Sequence, residues 1–552
     1  MKSLTKKYFF GYTALALAVL VSTAIPASAQ KDQRPNIVLV LVDDLGFSDV
    51  GPFGASEIET PNLDRLAAEG LRLKEFYNNS ICAPTRASLL TGQYQHKAGV
   101  GYFNVNLGLP AYQGFLNHES LTLAEVLKAG GYSTLMAGKW HVGDDKDQWP
   151  NQRGFDKFFG FIGGASNYYE IGTGAASQVQ LVKNNEPYVL EPGKYLTEEI
   201  TNNALGFLTE QDKEKKPFFL YLAYNAPHWP LQALPQDIAK YKGKYSMGWD
   251  SLRVLRYRNA IKKGLIDPNQ KITARDAQLK PWNKLTYDEQ QYWQTRQEVY
   301  AAMIDHVDQG VGRLLAKLKE LKKDQNTLII FISDNGAQGG NNLRLYTQRN
   351  TGPVGTAGSY ETQNSNWSQT GNSPLRNYKD SPYEGGISAP FIAWYPKKIK
   401  ANTIAQGTAH LIDLAPTFYQ LAGVQYPAQF NGVKTNALAG KSLVPILTGQ
   451  ADKVERGEPL FWERSGKQAV RDGKWKLVLP AGADPQYELY DIEADRGENN
   501  NLAATHKDIV EKLKAEYNAW AQKNDVIDYN KLKTLPAVSP DNESIRRRRG
   551  SN

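Results

Sequence analysis

The chain has 552 residues, of which 41% are hydrophobic and 22% are charged, and its formal net charge is +8. This composition is ordinary for a globular protein, and the length predicts two or more packed units, one of them large. Much of the positive excess lies in four consecutive arginines at positions 546–549. A charge run at a polar chain end is typical of a solvated tail, so the net charge does not favour nucleic-acid binding.

The first 29 residues have the pattern of a signal peptide. Three lysines lie among the first seven residues, residues 8–25 are mostly apolar, and Ala-Ser-Ala at 27–29 matches a cleavage site. The alternative is a membrane anchor, which the small-residue site directly after the apolar stretch disfavours. The rest of the sequence has no apolar run long enough to cross a bilayer. We therefore expect a periplasmic or secreted protein without a membrane span after cleavage.

Continuous apolar segments alternate with amphipathic ones along most of the remaining chain. The predicted strands and helices, in chain order within each class, are strands at 36–42, 134–137, 218–223, 328–333 and 390–394, and helices at 61–69 and 298–323. This alternation is typical of a parallel sheet covered by helices on both faces. The sequence therefore predicts an α/β fold over residues 30–458, which we expect to be the catalytic domain.

The sequence pattern changes from about residue 459. Residues 468–480 and 487–490 are predicted to form short antiparallel strands, and residues 504–524 a packed helix. We expect a smaller C-terminal α+β subdomain at residues 459–535, followed by a polar basic tail at 536–552.

Two polar insertions interrupt the α/β pattern, at residues 235–283 and 339–372. Both are rich in Gly, Asn, Gln and Lys. We expect them to be loops near the functional site, where they would set substrate specificity.

Distinctive polar residues follow four of the predicted strands directly. In chain order, they are Asp43 and Asp44, Lys139 and His141, His228, and Asp334 and Asn335. In an open α/β sheet, ligands bind outside the carboxyl ends of the strands. We therefore expect these residues, which are far apart in sequence, to meet at one edge of the sheet.

The acidic residues of this set predict a metal site. Asp43 and Asp44 are adjacent carboxylates at the end of a buried strand, which costs free energy unless a cation joins them; the alternative is a pair of loop aspartates capping a helix. The segment Asp334-Asn335-Gly336 alone is common turn chemistry. Together the two segments offer four oxygen ligands, which favours Ca²⁺ or Mg²⁺ over zinc.

Cys82 is the only cysteine in the sequence, so it cannot form an intramolecular disulfide. It is either an inert buried thiol or a chemically special one. Pro84 and Gly92 predict a helix that starts at Cys82, whose N-terminus would favour a negative charge. Arg86 follows about one helical turn later and could neutralise an anion there.

Three further segments carry candidate cations and imidazoles. Lys139 and His141 are two residues apart after a strand, His228 lies in a stiff frame between two prolines, and Lys379 precedes the last predicted strand. Taken singly, these residues would be surface lysines, a core histidine or a structural turn. With the metal site they predict a pocket for a tetrahedral oxyanion. His410 lies in an apolar pattern, and we expect it to be structural.

The segment Cys82-Ala83-Pro84-Thr85-Arg86, with Leu89-Leu90-Thr91-Gly92 behind it, resembles the Cys-x-Pro-Ser/Thr-Arg signature of type I sulfatases. These enzymes belong to the alkaline-phosphatase-like superfamily, so the resemblance implies a large, mixed, mostly parallel sheet flanked by helices. Residues 43–49, 226–232 and 376–379 look similar to the corresponding segments of bacterial arylsulfatases.

This resemblance implies that a maturase oxidises Cys82 to formylglycine, whose hydrated aldehyde attacks the sulfur of a small-molecule sulfate ester. It implies one Ca²⁺, or Mg²⁺ in its place, held by Asp43, Asp44, Asp334, Asn335 and the modified Cys82. It further implies that Asp334 is the base, His141 takes a second proton and Arg86 orients the nucleophile. The residues that would hold the sulfate and assist departure of the alcohol are Lys139, His228 and Lys379.

The family pattern is broken at one position. After Gly385-Gly386-Ile387 the family usually has a basic residue, whereas this chain has Ser388. We expect this change to affect local packing or a substrate contact rather than the core chemistry. The expected activity is hydrolysis of aryl sulfates. The alternatives are a carbohydrate sulfatase, a phosphonate or phosphate monoester hydrolase, and a binding protein with an unmodified cysteine.

Overall fold

The computed structural model describes residues 33–171, 180–339 and 349–538. The predicted signal peptide, part of the second polar insertion and most of the predicted basic tail lie outside the described residues. The described residues from Arg34 onwards belong to one unit.

A ten-stranded sheet is the centre of the fold. Its strands are β1 (Asn36–Val42), β2 (Leu71–Tyr77), β3 (Ser133–Gly138), β4 (Lys157–Phe161), β5 (Leu181–Lys183), β6 (Glu186–Pro187), β7 (Phe218–Ala223), β8 (Thr327–Ser333), β9 (Phe391–Trp394) and β10 (Thr403–His410). They are arranged in the order β10-β2-β9-β8-β1-β7-β3-β4-β5-β6. The central strands β8, β1, β7, β3 and β4 are parallel, whereas β9, β5 and β6 pair antiparallel with their neighbours. This large, mixed, mostly parallel sheet confirms the predicted fold class.

Strand β1 explains why both faces of the sheet are covered. All seven of its residues are buried. Ile37, Leu39 and Leu41 pack into one hydrophobic core. Val38 and Val40 pack into a second core on the other face, because successive side chains of a strand point in opposite directions.

Helices cover these two faces and fill the connections. In the described residues they are Pro61–Glu69, Cys82–Thr91, Leu123–Ala129, Leu196–Gln211, Pro235–Ala239, Gly248–Lys262, Tyr287–Glu320, Ser365–Gly371, Glu384–Ile387, Leu414–Ala422, Val444–Leu447, Lys507–Lys523 and Tyr529–Leu532. The long helix Tyr287–Glu320 begins earlier than the predicted residue 298 because Thr286 and Glu289 form a capping box. Strand β9 begins at Phe391 rather than at the predicted residue 390, because Pro390 has no N–H to donate to a sheet.

Both polar insertions were predicted to be loops, but the structure shows that each of them also contains helix. The first contains the helices Pro235–Ala239 and Gly248–Lys262, and the second contains Ser365–Gly371. The Gly248–Lys262 helix shows no apolar face in the sequence because its buried positions include Arg253 and Arg256. Charged side chains are rarely buried unless they are paired, so this pattern could not be recognised without the partners.

A four-stranded antiparallel sheet lies in the C-terminal part of the chain. Its strands are β13 (Leu460–Arg464), β14 (Lys467–Asp472), β15 (Trp475–Leu479) and β16 (Glu488–Asp491), and a separate two-stranded ribbon precedes it as β11 (Gln429–Phe430) and β12 (Val433–Lys434). The helix Lys507–Lys523 packs on this sheet through stacked rings of Trp520 and Phe461, whose centroids are 5.1 Å apart. The boundary near residue 459 stays a prediction.

None of the helices within 33–171, 180–339 and 349–538 combines the length and apolarity that a transmembrane segment needs.

Candidate active site

The predicted site residues lie at the carboxyl ends of four neighbouring strands. Strands β8, β1, β7 and β3 are adjacent and parallel, so their carboxyl ends lie at the same edge of the sheet. Asp334 and Asn335 follow β8, Asp43 and Asp44 follow β1, His228 follows β7, and Lys139 and His141 follow β3. The structure therefore brings together residues that are up to about 290 positions apart.

The acidic residues form a buried cluster. One donor atom each from Asp43, Cys82 and Asp334 lies within 4.8 Å of the other two. The main-chain N–H of Asp44 donates to Asp334 Oδ1 at 3.2 Å, and the side-chain Nδ2 of Asn335 donates to Asp44 Oδ1 at 2.6 Å. Asp43, Asp44 and Asp334 are fully buried, so their charges need compensation from nearby groups.

Three cations supply that compensation. Lys139 Nζ donates to Asp43 Oδ2 in a short hydrogen bond, and Lys379 Nζ lies 2.7 Å from Asp44 Oδ1. Arg86 lies 3.1 Å from Asp334 Oδ2 and 3.4 Å from Asp43 Oδ2. The structure thus pairs three carboxylates with three cations, all of them predicted site residues.

The surroundings shift the pKa values of the two central carboxyls in opposite directions. Burial alone would raise the pKa of Asp43, but Lys139, His228 and Arg86 hold it well below its ordinary value. Burial, together with the negative charge of Asp43, raises the pKa of Asp334 despite the nearby Arg86. Any proton that this pair retains is therefore held by Asp334.

Cys82 is the first residue of the helix Cys82–Thr91, and Gly92 ends that helix with a left-handed φ of 67°. Thr85 anchors the helix to the end of β8, because its hydroxyl donates to the main-chain oxygen of Asp334 at 2.7 Å. Arg86 donates to the main-chain oxygen of Lys139 at 3.1 Å. Burial raises the pKa of the Cys82 thiol, so the encoded side chain is not a thiolate nucleophile.

The two histidines have different environments. His228 Nδ1 donates to the main-chain oxygen of Trp229 at 2.7 Å, and its Nε2 lies 3.5 Å from Asp44 Oδ2. Burial lowers the pKa of His228 to about 4, which leaves a neutral imidazole at pH 7. The ring nitrogens of His141 are buried and have no hydrogen-bond partner among the described residues. Burial, and then the charge of Lys139, hold the pKa of His141 well below its ordinary value.

A buried ionic group that contacts Asp44 was not predicted; it consists of Tyr300, Asp49, Arg256 and Glu57. Tyr300 donates through its hydroxyl to the main-chain oxygen of Asp44 at 3.1 Å and to Asp49 Oδ2 at 2.8 Å. Arg256 donates to Asp49 Oδ1 at 2.5 Å and to Glu57. The only sequence feature that pointed to this group was Asp49, an acidic residue in the segment that follows β1.

The structure shows what accompanies Ser388. The side chain of Arg496 donates to Ser388 Oγ at 2.8 Å and lies 3.4 Å from Glu384 Oε2. A guanidinium is therefore present near this sheet edge although residue 388 is not basic. His410, the last residue of β10, is fully buried and accepts a hydrogen bond from the Ile412 N–H through Nδ1, as a structural residue would.

Comparison with known proteins places these features in a family. The sulfatase family profile matches residues 35–424, and a profile described as the C-terminal part of N-sulphoglucosamine sulphohydrolase matches residues 378–523. An uncharacterized sulfatase of Schizosaccharomyces pombe is 36% identical over 522 residues, covering 88% of this chain and 92% of that protein. An arylsulfatase of Klebsiella aerogenes is 32% identical over 450 residues, covering 79% and 95%.

A solved structure agrees with these sequence matches. Ps i-CgsB in complex with k-i-k-neocarrahexaose has a TM-score of 0.67 at 26% identity, covering 94% of this chain and 98% of that one. The matches span the ten-stranded sheet and the C-terminal sheet alike. The chain therefore belongs to the sulfatase family, has the alkaline-phosphatase-like fold and is an enzyme that hydrolyses sulfate esters.

Proposed function

We propose that this sulfatase is an arylsulfatase that uses Cys82 in its formylglycine form and one bound Ca²⁺. The observation that carries the proposal is the cluster itself. Ligand atoms of Cys82, Asp43 and Asp334 lie within 4.8 Å of one another. Two fully buried cations, Arg86 and Lys139, and the partly exposed Lys379 are paired with the carboxylates of this cluster.

The residues present fit a hard divalent cation. Asp43 Oδ1 and Asn335 Oδ1 are buried oxygen acceptors without a hydrogen-bond partner in the part of the chain that the structure describes. Unsatisfied buried oxygens are costly, and Ca²⁺ takes such carboxylate and carboxamide oxygens as ligands. Asp43, Asp44, Asp334, Asn335 and the modified Cys82 would hold the ion. Mg²⁺ could replace it, although it demands a stricter octahedral geometry.

Once present, the cation and the hydrated aldehyde would supply electrostatic stabilisation of the sulfate oxygens and a hydroxyl nucleophile at residue 82. The other steps belong to the side chains in the structure. Lys379 and Lys139 would bind the equatorial sulfate oxygens, where charge develops in the transition state. Binding of the sulfate anion would favour the protonated form of His228, whose Nε2 then donates to the leaving oxygen while Nδ1 donates to the main-chain oxygen of Trp229. Asp334 would accept the proton of the nucleophile, because its carboxylate lies in the cluster with residue 82 and would be ionised beside the bound cation.

Two other groups would complete the cycle. His141 would accept the second hydroxyl proton, since its ring nitrogens are neutral and have no other partner in the described chain. Arg86 would orient residue 82, because it lies one helical turn away and contacts Asp43 and Asp334.

Aromatic side chains beside the two histidines support an aryl substrate. The Phe103 ring lies edge-on to His141 with centroids 4.9 Å apart, and the Trp229 ring lies 4.9 Å from His228. Both are partly exposed, so they offer flat apolar contacts next to the sulfate site. The Klebsiella relative is an arylsulfatase, which agrees with this assignment. The second candidate is a carbohydrate sulfatase, because Ps i-CgsB was solved with an oligosaccharide.

The test is a comparison of kcat/KM for 4-nitrophenyl sulfate, 4-nitrophenyl phosphate, a phosphonate monoester and a sulfated saccharide. The protein is calcium-loaded, and the mass of its Cys82 peptide is checked for formylglycine. We expect a preference of about 100-fold or more for the aryl sulfate over the saccharide, the kind of discrimination that a shaped pocket gives. A preference for the saccharide, the phosphate or the phosphonate would overturn the aryl assignment. Cys82→Ala is the control and should be inactive but folded.

We also propose that residues 1–29 direct export to the periplasm or medium. Fractionation of expressing cells, with the N-terminal mass of the recovered protein, tests this proposal. A cytoplasmic protein that retains residues 1–29 would contradict it.

A further inference from the structure

The turn between strands β13 and β14 contacts residues 376–380, the segment that carries Lys379. Arg464, the last residue of β13, donates through Nε to Asp380 Oδ1 at 3.1 Å. Lys467, the first residue of β14, lies 2.8 Å from Asp380 Oδ2 and also contacts its main-chain oxygen. Asp380 directly follows Lys379, so two cations of the C-terminal sheet hold the neighbour of an active-site lysine.

The segment that carries Lys379 has a backbone that needs external support. Asn377 and Asp380 have φ values of 63° and 67°, in the left-handed region that residues other than glycine seldom adopt. The Lys379 N–H donates to Ala337 O at 3.1 Å. On the other side, Arg376 donates to the Tyr490 hydroxyl at 2.7 Å, which attaches the start of the segment to strand β16.

Arg464 makes a second contact, with a different segment of the chain. Its NH1 group donates to the main-chain oxygen of Tyr102 at 2.9 Å, and its guanidinium lies 5.0 Å from the centre of the Tyr102 ring. The next residue, Phe103, packs against His141. One guanidinium therefore links the Lys379 segment to the segment beside His141.

We propose that Arg464 and Lys467 are positioning residues of the active site. They hold Asp380, and thereby keep Lys379 Nζ at its place beside Asp44 while Tyr102 and Phe103 stay against His141. This proposal deepens the proposed function, because it rests on Lys379 binding the sulfate group.

A purely structural role would be to attach the C-terminal sheet, but other contacts do that. Lys476 bridges Glu384 and Glu498 at 2.9 and 2.8 Å, and all three side chains are fully buried. Arg471 donates to the Tyr77 hydroxyl at 2.8 Å. Asp380, by contrast, is 49% exposed, although Arg464 and Lys467 are only 13% and 12% exposed, so these ion pairs contribute less to folding stability than the fully buried ones. Loss of Arg464 should therefore leave the sheet attached.

The experiment is a double-mutant cycle with Arg464→Ala, Lys379→Ala and the double variant. Three quantities are measured on calcium-loaded protein with verified formylglycine. They are kcat and KM for the ester that the wild type hydrolyses fastest, and the calorimetric Kd for inorganic sulfate. We expect Arg464→Ala to lower kcat/KM and sulfate affinity about tenfold when Lys379 is present, and less than about twofold when it is absent, because residues linked through a shared backbone shift couple. Arg464→Lys should recover part of the loss.

Lys474→Ala is the matched control. Lys474 forms a comparable ion pair with Asp491 at 2.8 Å and lies 4.7 Å from the Trp475 ring, but it follows the other end of strand β14. We expect it to change neither sulfate affinity nor turnover.

Equal losses with and without Lys379, or no loss in Arg464→Ala, would overturn the positioning proposal. Failure of the proposed function has a different signature. If the wild type prefers another ester, the double-mutant cycle is measured with that ester. If the wild type hydrolyses none of the esters, the cycle is measured from the Kd for inorganic sulfate alone.

Discussion

Arg496 and Ser388 form a direct contact between the C-terminal part of the chain and the end of the helix Glu384–Ile387. The guanidinium donates to Ser388 Oγ at 2.8 Å and also lies 3.4 Å from Glu384. Burial would raise the pKa of Glu384, but Lys476, Arg496 and Arg471 together lower it. This carboxylate is therefore ionised in the folded protein because of cations that come from residues 471–496.

Removal of Arg496 should destabilise the fold. Arg496→Ala leaves Glu384 and Ser388 buried with fewer partners, and breaking a buried pair costs about 3 kcal/mol of unfolding free energy. Urea unfolding measures the loss. The matched control is Arg65→Ala, whose partner Glu69 is exposed and whose loss should cost about 0.5 kcal/mol or less. Adding Ser388→Arg to Arg496→Ala should restore part of the stability. A further loss of stability would contradict our inference that Arg496 supplies the positive charge beside Glu384.

Removal of one cluster carboxylate should abolish metal binding. Asp43→Ala takes away an acceptor oxygen that is buried without a hydrogen-bond partner in the described chain, and it leaves Lys139 without its carboxylate. Bound calcium, measured by elemental analysis after dialysis, should fall from about one ion per chain to near zero. Chelation of the wild type should lower its melting temperature, since a ligand at 100 times its Kd contributes about 2.7 kcal/mol. Unchanged calcium content in Asp43→Ala would refute the site.

The sequence predicted which residues meet at the site better than it predicted which residues support them. Asp43 and Asp334 could be placed because each ends a continuous apolar run that only a buried parallel strand explains. The turn-forming Gly92 and the helix from Cys82 followed from local preferences. Arg256 could not be predicted as a buried residue, because its partners Asp49 and Glu57 lie about 200 positions away. Long-range pairing of charges has no local sequence pattern.

Asp308 predicts a pH dependence of stability outside the active site. Its carboxylate accepts hydrogen bonds from the N–H groups of Leu63 and Asn62 at 2.8 and 3.1 Å, so it caps the helix Pro61–Glu69 from the helix Tyr287–Glu320. Asp308→Ala leaves these N–H groups without a partner and should cost about 1 to 2 kcal/mol.

The sign of the pH effect follows from the raised pKa. Burial raises the pKa of Asp308 from 3.8 to about 6. Between these values the folded chain holds a proton that the unfolded chain has released, so the contribution of Asp308 to stability is largest below pH 4 and falls as pH rises to about 6. The cost of Asp308→Ala should therefore be larger at pH 4.5 than at pH 7, as measured by urea unfolding. A cost that grows towards pH 7 would contradict the assigned direction.

Trp229 should determine how well the enzyme accepts aromatic leaving groups. Its ring lies 4.9 Å from that of His228 and 5.8 Å from that of Tyr360. Trp229→Ala keeps the main-chain oxygen that accepts from His228 Nδ1, so the imidazole retains that hydrogen bond. Aromatic contacts contribute about 0.5 to 1.5 kcal/mol beyond apolar burial, which corresponds to a loss in kcat/KM of up to about tenfold for 2-naphthyl sulfate. The kcat/KM for an alkyl sulfate should fall less than about twofold.

Trp475→Ala is the matched control, because it removes a similar ring contact with His506 at 5.1 Å in the C-terminal sheet. It should leave kcat/KM for both substrates unchanged. An equal loss on aryl and alkyl sulfates would show that Trp229 supports His228 rather than the leaving group.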